Sequence, residues 1–105
     1  MNIYHVKRGD TLPSIVAQLL DADNNPIDLT GTIVILIARS GTRTIQKPCV
    51  ITNALTGHVA VHLDISETTH SGHYHAEFEI TYLFGDEKLT VPNDGYFSII
   101  ITEDL

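Results

Sequence analysis

Gly72-His73-Tyr74-His75-Ala76-Glu77-Phe78-Glu79-Ile80-Thr81-Tyr82 is the stretch whose reading decides the fold. Its residues alternate without a break. Tyr74, Ala76, Phe78, Ile80 and Tyr82 fall on one side, and His73, His75, Glu77, Glu79 and Thr81 on the other. A two-residue period is the signature of a strand with one buried and one wet face. An aromatic-rich stripe of this length needs a second apolar layer over it. The spacing therefore predicts a sheet packed on another sheet.

The segments on either side agree. Upstream, His58 to Ile65 alternates again, with Val59, Val61, Leu63 and Ile65 expected inward. Ser66 to Ser71 is a polar link with room for one helical turn. Downstream, Leu83-Phe84-Gly85-Asp86-Glu87 reads as a turn and Lys88 to Val91 as a return strand. Pro92-Asn93-Asp94-Gly95 carries turn chemistry, and Phe97, Ile99 and Ile101 form a last inward stripe. Ile33 to Ala38 is the most apolar run and reads as a central strand. Thr44 to Ile51 reads as one strand whose Pro48 sets it at an edge or on a bulge. Ile3 to Val6 is a short strand in which Tyr4 and Val6 share a face.

Two segments admit a second reading. Between Thr11 and Asp21, Leu12, Ile15, Val16, Leu19 and Leu20 fit a helical stripe, while Ile15, Ala17 and Leu19 alternate. We read a strand, because the segment is short and Pro13 suits an edge. Asp21-Ala22-Asp23-Asn24-Asn25-Pro26 begins like a calcium loop. Pro26 stands where that loop needs Gly and Thr32 where it needs Glu, so a plain turn is expected. The sum is an all-β, antiparallel two-sheet sandwich of about seven to eight strands, residues 1–105 forming a single β-sandwich domain. A partly open barrel is the structural alternative.

Composition narrows the function. The chain has 105 residues and a net charge of −7, with only six Lys and Arg, and these are scattered. Phosphate backbones reward clustered cations, so no nucleic-acid partner is expected. No apolar run reaches the roughly 20 residues of a membrane span, and Met1-Asn2-Ile3-Tyr4-His5 is not a signal peptide. No membrane partner is expected, and the chain reads as made and kept in a cytoplasm, or assembled from there. Cys49 is the one cysteine and lies in an apolar run, so it reads as a buried, inert thiol.

Chemistry has few candidates. His58 and His62 share one face, and His73 and His75 another beside Glu77 and Glu79. Were those two strands paired, His58, His62, His73 and His75 could converge on a zinc ion. Alternation puts such residues on one face in any strand, so solvated surface histidines are the simpler reading and no metal site is assigned. Ser66, Ser71 and Ser98 sit in no nucleophile elbow, and no phosphate loop is present. The chain reads as a non-enzyme with no catalytic residues and no cofactor.

A resemblance supplies the rest. Gly9-Asp10-Thr11-Leu12-Pro13, the run Leu19 to Gly31, the Gly72 to Ile80 strand, and Pro92-Asn93-Asp94-Gly95-Tyr96 leading into Phe97 to Ile101 occur in an order that resembles the amino-terminal domain of tailed-phage baseplate upper proteins. That resemblance implies an immunoglobulin-like β-sandwich. It also implies a virion protein: a structural adaptor that docks onto other virion proteins of baseplate, tail, neck or capsid. The resemblance implies a homo-oligomer or a subunit seated on an oligomeric ring. The expected contact residues are Ile3, Tyr4 and His5 on the first strand, and Asp23, Asn24, Asn93 and Asp94 on two turns. Baseplate upper proteins continue into a linker and a trimerising region, whereas this sequence stops at Leu105, so it is expected to act as a lone module. Two other functions compete, beside a bacterial intracellular immunoglobulin-like domain of unrelated duty. A carbohydrate- or surface-binding module would expose Tyr4, Tyr82 or Tyr96, and a metal-dependent cupin-like enzyme would use the four histidines.

Overall fold

The computed structural model describes residues 3–9, 14–85, 87–92 and 97–102. In chain order the elements are β1 (Ile3–Lys7), β2 (Ile15–Gln18), β3 (Thr32–Ser40), β4 (Arg43–Pro48), β5 (Val50–Asn53), β6 (His58–Val61), α1 (Ile65–Thr68), β7 (Gly72–Tyr82), β8 (Lys88–Val91) and β9 (Phe97–Thr102). The larger sheet runs β1-β9-β7-β3-β4, with β8 also on β7, and the smaller runs β2-β6-β5. The fold is an immunoglobulin-like sandwich in which one core fills the space between two sheets.

The organising strand behaves as its alternation requires. Tyr74, Ala76, Phe78 and Ile80 of β7 are buried, and His73 and His75 are exposed. Ile99 and Ile101 of β9 and Val34 and Leu36 of β3 extend the apolar floor on either side. Its cover is Ile15 of β2 and Val59 and Val61 of β6, completed by Leu19, Ile27, Leu29 and Leu63 from the connections. Burying aliphatic and aromatic side chains on this scale is the main force holding the sheets together, at about 25 cal/mol for each Å² removed from water.

Several expectations change in detail. The described sheets hold nine strands, because Thr44 to Ile51 is not one strand but two. After Pro48 the chain leaves the larger sheet, passes through Cys49 and enters the smaller sheet as β5. Pro48, which has no N–H to donate, ends an edge strand there. The larger sheet is mixed, since β1 runs parallel to β9. The Phe78 and Ile99 stripes lie side by side in one sheet rather than facing each other across the core. Ile65 is not inward: β6 ends at Val61, and Ile65 opens α1 with 64% of its surface exposed. The Asp64 N–H donates to the Glu67 carboxylate at 2.6 Å, closing the first turn of that helix. Ile15 to Gln18 is a strand, and Thr11 to Pro13 lie outside the described residues.

β8 and β9 follow one another along the same flank of β7. Lys88 to Val91 face Thr81 to Phe78, and Phe97 to Ile101 face Ala76 to Gly72. β1 begins at Ile3 opposite Ser98, so among the described residues β8 has a partner on one side only. The flank beside β8 and below β2 is therefore the open side of the sandwich.

Candidate docking surface

At this open side the two sheets are tied by one side chain. Tyr4 is half-buried on β1, and its hydroxyl donates to the Val16 carbonyl of β2 at 2.9 Å. Its ring meets Phe97 edge-on, with centroids 5.6 Å apart and planes at 77°. Phe97 in turn stacks on Phe78 at 5.1 Å and 17°. Both geometries suit the ring quadrupole. Next to this aromatic row lies a cleft of about 410 Å³, lined by Tyr4, Gln18, Asp21, Asn24 and Pro92 among others.

The far wall is the turn after β2. The Asp21 carboxylate accepts the N–H groups of Asp23 and Asn25, both at 2.9 Å. The Asn24 N–H donates to the Asp21 carbonyl at 3.0 Å, and Asn24 takes φ of 63°, a left-handed conformation that Asn tolerates. This is an Asx turn, with the carboxylate spent on the backbone. Its base rests on the Gly57 loop: Leu19 N–H donates to the Gly57 carbonyl at 2.8 Å, and Gln18 Nε2 to the Thr56 carbonyl at 3.0 Å.

The contact residues named from sequence separate into groups. Tyr4 and Asn24 line the same cleft, and Asp23 is exposed on its rim turn. Ile3 and His5 are exposed on the opposite face of β1, as strand alternation requires. Asn93 and Asp94 lie outside the described residues, although Pro92 just before them lines the cleft. Gln18 and Pro92 were not singled out from sequence. Pro92 closing a strand was the available signal, and Gln18 offered none, since outward polar residues occur on every strand.

The edge of β1 adds backbone groups. The Arg8 N–H donates to the Thr102 carbonyl at 2.6 Å. By the alternation of a parallel ladder, the N–H and C=O groups of Ile3, His5 and Lys7 then point away from β9 toward the free edge.

The histidines do not converge. β6 and β7 lie in different sheets, so His58 and His62 never meet His73 and His75. His58 Nδ1 pairs with the Thr56 hydroxyl at 2.6 Å, and His62 Nδ1 with the Ser14 hydroxyl at 3.3 Å. His73 Nε2 pairs with the Ser98 hydroxyl at 2.8 Å, and its ring stands edge-on to His75 at 5.1 Å. Among the described residues no three His, Cys, Asp or Glu side chains group as metal ligands, which disfavours the cupin-like reading. Tyr82 is half-buried, and Tyr96 lies outside the described residues. Burial raises the Cys49 thiol to about 11, which keeps it protonated and unreactive.

These features define a class: a small immunoglobulin-like sandwich with a cleft at the open side of its two sheets. The family model described as the BppU N-terminal domain matches residues 2–105, and the chain belongs to that family. It is a virion-associated phage protein with a structural, adaptor-type role. Among solved structures it is similar to the N-terminal domain of phage TP901-1 ORF48, at 17% identity and a TM-score of 0.71, over 96% of this chain and 85% of that one. At that identity the likeness speaks for the fold. No curated protein sequence matches.

Proposed function

We propose that residues 1–105 act as a single β-sandwich domain that seats on other structural proteins of the particle through its open side. The β1 edge and the cleft rim are the docking surface. Made in the host cytoplasm, the domain joins the virion as a homo-oligomer or on an oligomeric ring, since repeated contacts are how symmetric particles are built. One observation carries the reading: on β1, backbone groups with no partner among the described residues adjoin a cleft that holds Tyr4 and Asn24. Free strand edges are liabilities unless covered, and strand addition is a common way for a partner to cover them.

Co-expression with tail, neck and capsid proteins of the same phage tests the reading, with size-exclusion chromatography and light scattering as the readout. A stable complex with at least one of them is expected. A chain that elutes alone in every combination contradicts the proposal.

A further inference from the structure

We propose that the outward face of the larger sheet, at the end where β7 begins, is a docking patch for an acidic protein surface. This rests on the adaptor role above and names the chemistry of the partner. Strand register lays the patch out in rows. Ile3, Ser98, His75, Arg39 and Thr44 lie side by side across β1, β9, β7, β3 and β4. His5, Ile100 and His73 form the next row, and Lys7 and Thr102 the one beyond. All point outward, because Tyr4, Val6, Ile99, Ile101, Tyr74 and Ala38 alternate with them into the core.

Lys7, Arg39, His5, His73 and His75 are therefore exposed on one face, with Ile3 and half-buried Ile100 among them. No Asp or Glu stands in these rows among the described residues. The first carboxylate on the face is Glu77, one row along opposite Ile37, followed by Glu79, which faces Lys88 at 3.8 Å. Among the described residues neither Lys7 nor Arg39 has a carboxylate partner, whereas Lys47 and Lys88 both do. Asp10, Glu103 and Asp104, neighbours in sequence, lie outside the described residues.

In a chain of net charge −7 this is a local reversal of sign around an apolar centre. That combination fits a protein surface with a few carboxylates. A polyanion is disfavoured, because the whole-molecule field repels it and two permanent cations release few counterions.

The test compares the wild-type chain with Lys7→Glu/Arg39→Glu, two exposed positions, with circular dichroism to check that both fold. In NMR titrations an oligoglutamate peptide should shift the amides of Lys7, Arg39, His73 and His75, and less so at high salt. The double variant should bind at least about tenfold more weakly. In the co-expression assay the same variant should lose the tail partner that the wild type holds. A variant that keeps the partner overturns the patch and leaves the adaptor role standing. Should the wild type hold no partner, the adaptor role falls, and the peptide titration still decides the patch. Shifts confined to other faces, an equal or stronger response to a DNA duplex, or self-association that the double variant abolishes would each overturn it.

Discussion

Gly57 shows how much one residue fixes at the rim. It holds φ of 74°, and a Cβ there would sit 2.7 Å from the Leu19 carbonyl and 2.9 Å from the Ile27 carbonyl. Those carbonyls belong to the base of the Asx turn. Gly57→Ala combines left-handed strain with a backbone clash, and is expected to cost at least about 2 kcal/mol and to lower Tm by about 10 °C or more. A thermal melt checks this. Lys47 works at the other side, bonding Asp64 and lying 3.2 Å from Glu67, so that α1 is tied to β4. The hydrogen bond from Lys47 holds the Asp64 carboxyl below its usual 3.8, and the same bond holds the Lys47 ammonium above its usual 10.5. The depressed carboxyl stabilises fully above its unfolded value and ceases to as pH falls through the lowered one. The raised ammonium stabilises fully below its unfolded value and ceases to as pH rises through the raised one. The gap in Tm between wild type and Lys47→Gln should thus be level from about pH 5 to 9 and shrink on both sides. The inward side chains of β7 were legible because alternation fixes them. Ile65 was misplaced because Asp64 and Glu67, at capping-box spacing, end the strand period before it.

Among the elements, most strands could be read from sequence and their partners could not. Alternation says which side of a strand is wet but not which strand lies beside it. Hence β6 and β7 carry similar histidine patterns yet sit in different sheets, and the metal reading failed on pairing alone. The parallel placement of β1 on β9 has no local signal either, because the two ends of the chain meet there. In the proposed docking mode, that placement leaves one edge of β1 for a partner. His5→Pro would remove an outward N–H from the free edge while leaving the inward ladder intact, as edge strands tolerate. In the co-expression assay it should weaken partner binding by about tenfold or more, with a Tm change of only a few degrees. Unchanged binding would place the contact elsewhere.

At the level of the whole molecule, a body 45 Å long and 24 Å across offers two distinct surfaces, the cleft with the β1 edge and the basic rows behind it. The class of function was legible because four separated stretches resemble one family in order and spacing, and the family match over residues 2–105 agrees. The surfaces were less legible. Tyr4 and Asn24 were named from sequence, but their meeting in one cleft depends on the Tyr4 bond to Val16 and on the Gly57 loop.

Hydrogen exchange on the complex of this domain with whichever virion protein it binds in the co-expression assay is the most direct test that the open side seats on the particle. Slowed exchange at residues 3–7 and 17–24, together with the basic rows around Arg39, His73 and His75, is the expected result. Protection at the β4 edge or the β5–β6 loop instead, with the open side exchanging as in the free chain, would contradict it.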